Sequence, residues 1–273
     1  MASSFNPLEP TFFLFATDLS FARRAERAGI DHVIIDWERL GKADRQEGFE
    51  TEINSDSPED VVRLSEALDM NVTVRINQMH EETEREIEIA LSCGADAIMF
   101  PMARRPDEVQ TFVNMVGNRA STFVQIETQS LAQQAGALRT IDWDYAHIGL
   151  NDLKITGDHD WLWQPLHDGT IRHICTQLHD RCIGFGSATI VGGGAPIPFI
   201  NLMQEMARLG CTVKILRRTF KKEIGDRNMR AELNAYRTVW NTLCRRGETA
   251  EAEDHQRLSN TLQRCRQRAL ATA

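Results

Sequence analysis

Two periods of hydrophobicity alternate along the chain, and this alternation limits the folds that it can adopt. Eight short runs rich in β-branched and aromatic residues are each followed by a longer polar segment with helical spacing. Several runs are apolar at every position, as parallel strands covered on both faces are. The predicted strands are Thr11–Thr17, Asp31–Trp37, Asn71–Asn77, Ala95–Pro101, Ser121–Thr128, Tyr145–Gly149, Cys182–Ser187 and Cys211–Arg217. The pattern predicts an α/β fold with a parallel sheet.

Capping residues mark the helices between these runs. Asp18 is a predicted N-cap for a helix over Leu19–Ala28, which Gly29 ends. Ser57 is a second N-cap, and the proline after it suits the first turn of a helix. Eight repeats of a strand and a helix are compatible with an open doubly wound sheet or with a closed barrel.

The chain length and the positions of the polar residues favour the barrel. The 273 residues fit one α/β barrel, which typically has about 250. The first strand is not followed by the G-x-G-x-x-G turn of dinucleotide-binding sheets. Polar residues collect at the carboxyl ends of the strands, where barrels carry their chemistry. We therefore predict a single (β/α)8 TIM barrel with an extended C-terminal helical segment.

The chain continues well past the eighth strand, and its remaining apolar residues are spaced as in one long helix. These positions are Ile224, Leu233, Tyr236, Val239, Trp240 and Leu243. We expect residues 1–245 to form the barrel with this helix, and residues 246–273 to be a polar tail, helical or partly disordered. An exposed tryptophan and tyrosine on the helix would cover a barrel end or dock on another subunit. This predicts a homo-oligomer.

Composition and charge narrow the class of protein. Hydrophobic residues make up 42% and charged residues 26%, as in ordinary globular chains. No apolar run approaches the ~20 residues that cross a bilayer, and the polar segment Met1–Pro10 does not resemble a signal peptide. A net charge of −8 argues against nucleic acid as a partner. We expect a cytoplasmic protein with no membrane or nucleic-acid partner, whose six cysteines are reduced thiols rather than zinc ligands.

Charged and amide side chains follow several predicted strands. They are Asp36 and Glu38, Arg75 and Asn77, Gln125 and Glu127, and Asn151 and Asp152. The carboxyl ends of barrel strands converge on one face, so the carboxylates would repel one another strongly in a buried site. A divalent cation would relieve this repulsion. Oxygen ligands favour Mg²⁺, or Mn²⁺ or Co²⁺ in its place.

Five segments resemble the HpcH/HpaI aldolase family, and they occur in that family's order. They are Ile34–Glu38, Val74–Asn77, Gly94–Pro101, Val124–Thr128 and Ile148–Leu153. This family, with the citrate-lyase β subunit as a relative, belongs to the phosphoenolpyruvate/pyruvate barrels. The resemblance extends from about the second predicted strand to the sixth.

The resemblance implies a role for individual residues. Glu127 and Asp152 resemble the two metal ligands, and Gln125 is similar to the glutamine that supports a metal-bound water or the substrate. Arg75 resembles the arginine that contacts the keto oxygen of pyruvate. The turn at Asn151 and Asp152 would offer backbone N–H groups to the substrate carboxylate. Asp36 and Glu38 match acidic positions of the family's second strand.

Arg39 departs from the family pattern, in which a histidine that takes part in proton transfer follows the glutamate of the second strand. Arginine keeps its proton at physiological pH and is not an ordinary general base. A metal-bound water, Asp36, or a histidine from elsewhere such as His80 or His159, would then have to carry the proton. Arg39 is instead suited to bind a carboxylate or phosphate of the second substrate.

The function that follows is that of a class II aldolase, a metal-dependent carbon–carbon lyase. It would act through the enolate of a pyruvate-like 2-oxo acid, with an aldehyde or other acceptor as the second substrate. Two alternatives are a non-catalytic barrel that binds a keto acid as a sensor or scaffold, and a CoA-thioester lyase of the citrate-lyase β-subunit type.

Some of the same residues also have other interpretations. Asp36 and Arg75 would form an ion pair if their strands are adjacent. Gly192–Gly194 and the basic residues Arg217, Arg218, Lys221 and Lys222 fit a phosphate site, although such segments are usually a flexible turn and a solvated face. The long charged connection Glu38–Asp56 is typical of an active-site loop.

Overall fold

Eight parallel strands form one sheet in the computed structural model, which describes residues 6–41 and 56–272. Their order in the sheet is β7-β6-β5-β4-β3-β2-β1-β8. Each of the eight runs predicted from the sequence contains one strand. The strands are β1 Thr11–Phe15, β2 His32–Asp36, β3 Asn71–Arg75, β4 Ala97–Phe100, β5 Ser121–Ile126, β6 Tyr145–Ile148, β7 Ile183–Phe185 and β8 Val213–Leu216.

The sheet closes on itself along a seam between β7 and β8. One isolated bridge joins Ala188 to Leu216, and the Ala188 amide donates to the carbonyl of Ile215 at 2.8 Å. A Cβ on Gly184 would lie 2.0 Å from the carbonyl oxygen of Val213, so glycine is required where the strands approach. The predicted (β/α)8 barrel with a helical C-terminal segment is confirmed.

The helices connect the strands and surround the barrel. They are α1 Leu19–Ala28, α2 Pro58–Ser65, α3 Thr83–Ser92, α4 Pro106–Val116, α5 Gln129–Gln133, α6 Leu150–Thr156, α7 Gln164–His167, α8 Thr170–Gln177, α9 Phe199–Arg208, α10 Arg218–Ile224, α11 Met229–Cys244 and α12 Glu248–Thr272. The predicted caps of α1 are present, because Asp18 accepts from the amide of Phe21 at 2.7 Å and Gly29 has φ 90°. Ser57 forms a capping box with Asp60.

Three aspartates tie consecutive strands together at the amino-terminal end of the sheet. Asp31 accepts from the amide of Phe12, Asp96 from that of Val72, and Asp144 from that of Thr122, each at 2.8 Å. Each carboxylate satisfies a backbone donor that begins the neighbouring strand. These bonds help to fix the strand register that positions the residues at the opposite end.

Two hydrophobic layers hold the barrel together. The larger layer lies between the sheet and the helices, and the smaller fills the barrel interior. The interior residues are Phe13, Phe15, Ile34, Met99, Phe123, Tyr145, Cys182, Val213 and Ile215. Phe13 stacks on His32 with ring centroids 4.3 Å apart and meets Phe123 edge-on at 4.7 Å. The polar side chains at the carboxyl ends of the strands therefore lie above a mainly apolar layer, which also contains His32.

The segment after β8 differs from the prediction in two ways. Ile224 ends the short helix α10 and does not belong to α11, because Gly225 and the N-cap Asn228 separate them. Tyr236 and Trp240 are buried, not exposed. The reason is that α11 packs between α1 and α9 and covers the outside of the closing strands. The Trp240 indole donates to the carbonyl of Pro7 at 3.0 Å, so this helix face is occupied by its own barrel.

The polar tail forms the single helix α12, which packs on α9. Leu258 and Leu262 are buried there. His255 and Glu205 lie 3.1 Å apart at the edge of the contact. The part of the chain that the structure describes contains no helix with both the length and the apolar composition needed to cross a membrane. All six cysteines lie within the described residues, and none of them forms a disulfide bond there.

Candidate active site

A cavity of about 240 Å³ opens at the carboxyl ends of the strands. Five of the predicted site residues line it, namely Arg75, Gln125, Glu127, Asn151 and Asp152. Its wall also includes Phe15, His147, Trp163, Ser187, Thr189, Arg217 and Arg218. The barrel therefore brings residues from β3, β5, β6, β7 and β8 to one place.

Arg75 is held by the carboxylate of Asp36, its register partner on β2. Its Nε and Nη2 donate to the two Asp36 oxygens at 2.8 and 2.7 Å, and its Nη1 lies 3.2 Å from Glu38 Oε2. Burial alone would lower the pKa of Arg75, but the charges of Asp36 and Glu38 outweigh burial and raise it. The ion pair that the sequence left open is thus present, and it fixes a permanent cation beside the cavity.

Gln125 connects this arginine to Glu127. The Gln125 Oε1 accepts from Arg75 Nη1 at 3.2 Å, and its Nε2 donates to Glu127 Oε2 at 3.2 Å. The second carboxylate oxygen of Glu127 accepts from the amide of Met102 at 3.0 Å. Met102 has φ 56°, in the left-handed region that few non-glycine residues adopt. The backbone after β4 is therefore turned so that its N–H reaches Glu127.

Glu127 is a buried carboxylate beside a second acidic residue. Burial is the largest cause that raises its pKa, to about 8, and the charges of Asp152 and Glu38 add to the effect, while Arg75 opposes it. Gly149 leaves the space that Glu127 occupies, because a Cβ at Gly149 would lie 2.4 Å from Glu127 Oε2. Asp152 lies in the first turn of α6 and is 7% exposed.

This donor set fits a hard divalent cation. Two neighbouring carboxylates, one with a raised pKa, favour either a proton or a positive ion between them. Among the described residues, no group of three or more histidine, cysteine, aspartate or glutamate side chains could hold a metal ion. Mg²⁺ commonly binds through one or two carboxylates and completes its shell with water and substrate oxygens. Glu127 and Asp152 would be its protein ligands.

Asn151 and Asp152 lie at the amino-terminal turn of α6. The first amides of a helix have no intrahelical acceptor, so they are available to an anion. Asn151 is exposed and borders the cavity. Its predicted contact with a substrate carboxylate stays a prediction.

Two predicted catalytic residues do not line this cavity. Asp36 is 0% exposed and lies beneath it, paired with Arg75. Arg39 is exposed, and its Nη2 donates to the carbonyl of Asp56 at 2.8 Å. Most of the predicted active-site loop Glu38–Asp56 lies outside the described residues. The proposed roles of Asp36 and Arg39 in catalysis therefore stay predictions.

The two histidines considered as proton carriers also lie away from the cavity wall. His80 Nε2 is 3.3 Å from Glu86 Oε2. His159 follows α6, and its Nε2 is close to the backbone at Gly157, where a Cβ would lie 2.6 Å from it. Neither residue belongs to the lining described above.

His147 is a cavity residue that the sequence reasoning missed. It lies on β6 in register with Gln125 and is 5% exposed. Its Nε2 is 2.6 Å from the carbonyl oxygen of Gly186. Burial chiefly lowers its pKa to about 3, and the charge of Arg217 contributes. Side chains alternate between the two faces of a strand, so His147, two residues after the interior Tyr145, lies inside the barrel. This alternation could have identified it.

The glycine-rich turn after β7 is organised around a carboxylate. Glu223 accepts from Thr189 Oγ1 at 2.6 Å and from the amide of Gly194 at 2.9 Å. A Cβ on Gly193 would lie 1.9 Å from a Glu223 oxygen. Glu223 therefore uses two hydrogen-bond donors of this turn, Thr189 Oγ1 and the Gly194 amide, and places a carboxylate beside the glycines. The phosphate interpretation of the glycines stays a prediction. Arg217 borders the cavity, with its guanidinium 4.6 Å from the Phe15 ring centroid.

Comparison with known proteins identifies the fold. No family model and no curated protein matches the sequence. An HpcH/HpaI aldolase from Desulfitobacterium hafniense DCB-2 is similar in structure, with a TM-score of 0.59 and 14% identity over 85% of this chain and 93% of that one. The citrate synthase SbnG has a TM-score of 0.58 and 18% identity over 85% and 94% of the two chains. RipC from Yersinia pestis has a TM-score of 0.54 and 14% identity over 90% and 99%. At these identities the likeness establishes that this chain shares the barrel fold of these proteins.

Proposed function

We propose that this protein is a divalent-metal-dependent carbon–carbon lyase of the HpcH/HpaI aldolase type. It would form or cleave a bond next to the enolate of a pyruvate-like 2-oxo acid, with an aldehyde or another acceptor as the second substrate. The observation that carries the proposal is the buried pair of Glu127 and Asp152, in which the pKa of Glu127 is raised beside a fixed guanidinium. The names of two structural neighbours, an aldolase and a citrate synthase, support carbon–carbon chemistry.

Four polar residues of the cavity, Arg75, Gln125, Glu127 and Asp152, have a part in this chemistry. A bound Mg²⁺, Mn²⁺ or Co²⁺ would supply Lewis-acid stabilisation of negative charge on the enolate oxygen. Glu127 and Asp152 would hold the ion. Arg75 would add its positive charge at the same oxygen, and Asp36 keeps its guanidinium in place. Gln125 links the arginine to Glu127 and orients both.

The cavity also provides for orientation and for the exclusion of water. Asn151 and the first amides of α6 would bind the carboxylate of the 2-oxo acid. Leu150 and Trp163 form an apolar part of the wall. Loss of one preorganised donor to an oxyanion typically raises the barrier by roughly 3 kcal/mol. Arg75 is therefore the residue whose loss we expect to slow enolate formation most, apart from the two carboxylates.

Proton exchange of pyruvate tests the proposal. The protein is incubated with pyruvate and Mg²⁺ in D₂O, and NMR follows the methyl signal, while calorimetry measures Mg²⁺ binding. We expect Mg²⁺-dependent loss of the methyl signal, abolished in Glu127→Gln and Asp152→Asn. The exposed Glu88→Gln is the control and should exchange at the wild-type rate.

Three outcomes would contradict the proposal. Absence of Mg²⁺ binding would remove the metal site, and unchanged exchange in both carboxylate variants would place the chemistry elsewhere. Tight binding of pyruvate without any exchange would instead indicate a non-catalytic keto-acid-binding barrel.

A further inference from the structure

The His147 imidazole contains a hydrogen-bond acceptor without a partner. The Gly186 carbonyl oxygen can only accept, so the ring proton lies on Nε2, which is 2.6 Å away. Burial lowers the pKa of His147 to about 3, so the ring is neutral and Nδ1 is unprotonated. It is buried and has no hydrogen-bond partner within the described ranges 6–41 and 56–272. A buried acceptor without a hydrogen bond costs free energy, so we expect a donor to reach Nδ1 when the site is occupied.

Gln125 is the donor that the topology brings to this ring. Gln125 and His147 are register partners on the adjacent parallel strands β5 and β6, so their Cα positions are separated by about one strand spacing of 4.8 Å. Both side chains line the cavity. The Gln125 Nε2 carries two hydrogens, and its long bond of 3.2 Å to Glu127 Oε2 uses one of them.

We propose that His147 is a positioning residue whose Nδ1 accepts the hydrogen bond of Gln125 Nε2 when Glu127 binds a cation. This inference rests on the proposed metal site. When the Glu127 oxygens bind a cation, they no longer accept the hydrogen bond from Gln125 Nε2. The Gln125 amide group then needs a new acceptor. Rotation of the Gln125 side chain toward β6 brings its amide group to His147 Nδ1, which is such an acceptor, without opening the barrel to water.

The surroundings of the ring suit it to accept a hydrogen bond and not a proton. Arg217, Lys214 and Arg75 are the positive charges that act on it, and together with burial they keep the imidazole neutral. Its tautomer is fixed by Gly186 at the seam of the barrel. Nδ1 is therefore a constant acceptor, and it would keep the Gln125 carboxamide oriented with Oε1 toward Arg75.

A spectroscopic test separates this inference from the proposed function. The Nδ1 resonance of ¹⁵N-labelled His147 is recorded in the metal-free Glu127→Ala variant, where Gln125 loses its acceptor without any cation. We expect the resonance to move toward the hydrogen-bonded position, and to move likewise when Mg²⁺ and pyruvate are added to the wild-type protein. His32, whose Nδ1 is already 3.0 Å from Thr73 Oγ1, is the control and should not move.

Two substitutions test the two ring nitrogens separately. In His147→Gln, the longer amide can keep the donation to Gly186 but offers no acceptor at the Nδ1 position. In His147→Asn, the shorter amide can offer an acceptor near Nδ1 but cannot reach Gly186. We expect about a tenfold rise in the pyruvate KM for His147→Gln, as for the loss of one hydrogen bond, with much of it restored in His147→Asn.

The opposite ranking would show that the bond to Gly186 is what matters and would overturn the inference. An unmoved Nδ1 resonance in metal-free Glu127→Ala would overturn it as well. If that resonance moves but the wild-type protein binds no Mg²⁺, the contact between His147 and Gln125 stands and the proposed function fails.

Discussion

Asp36 and Arg75 are paired twice, once through the register of β2 and β3 and once through two hydrogen bonds between their side chains. The pair is almost completely buried, with 0% of Asp36 and 3% of Arg75 exposed. Its geometry leaves Nη1 as the guanidinium nitrogen that reaches Gln125. The ion pair therefore sets the direction in which Arg75 presents its charge.

Removal of Asp36 should destabilise the protein strongly. Asp36→Ala leaves a buried guanidinium with Glu38 and Gln125 as its remaining partners, and breaking a buried pair typically costs about 3–5 kcal/mol. Urea denaturation measures the free energy of unfolding. The control is Asp180→Ala, which breaks an exposed pair with Arg139 and should cost less than about 1 kcal/mol. Equal losses for the two variants would refute a structural role of the buried pair.

Substitution of Gly149 should weaken metal binding. In Gly149→Ala the new methyl group would overlap Glu127 Oε2, so the carboxylate must leave its position. We expect Mg²⁺ affinity to fall at least tenfold in calorimetry. Gly192→Ala is the matched control in the turn after β7, where a Cβ meets nothing within 4 Å. Wild-type affinity in Gly149→Ala would exclude Glu127 as a ligand.

The raised pKa of Glu127 should make the metal-free protein less stable at alkaline pH. The folded-state pKa is about 8 against 4.5 for the free side chain, so the folded protein binds more protons between these values. Its stability therefore falls as pH rises through this window, by up to about 1.4 kcal/mol per pH unit. Glu127→Gln should remove this slope in urea denaturation with a chelator present. Parallel pH profiles for the two proteins would contradict a buried, protonated Glu127.

Lys214 should produce a slope of the opposite sign. This lysine is 1% exposed. The Lys214 ammonium donates to the carbonyl of Cys211 and lies 3.7 Å from the Trp240 ring centroid. Burial lowers the pKa of Lys214 to about 7. Between pH 7 and 10.5 the unfolded chain binds more protons, so stability rises with pH by up to about 1.4 kcal/mol per unit.

Lys214→Met should abolish this rise and should be more stable than the wild-type protein at pH 7. The exposed Lys222→Met serves as the control and should keep the wild-type slope. A Lys214→Met protein that gains stability with pH as the wild type does would show that another group titrates in this window.

The sequence was sufficient for the barrel because local signals there agree with the tertiary structure. Strand β4 is buried on both faces and apolar throughout. Asp18 and Gly29 cap α1 where the helical periodicity begins and ends. The burial of Trp240 was not accessible in this way. Amphipathic spacing shows that a helix has an apolar face, but the surface that covers this face depends on how β8 returns to β1.

Five of the predicted site residues line one cavity, but the contacts between them were not predictable from the sequence. Strand order and register decide that Asp36 meets Arg75 and that Gln125 lies beside His147, and neither can be read from one chain. The carboxylate of Glu223 reaches the glycine turn from an element that is distant in sequence. Such contacts depend on convergence at the end of the barrel, which local patterns do not encode.

The seam between β7 and β8 gives the barrel wall one line with little backbone hydrogen bonding. The other neighbouring strands are joined by ladders of backbone hydrogen bonds. At the seam, β7 and β8 are joined by the bridge at Ala188 and by the close approach at Gly184. Gly186, which fixes the His147 ring, lies directly beside it. Any opening of the wall at this seam would therefore begin next to the cavity and would reach the His147 ring through the Gly186 carbonyl group.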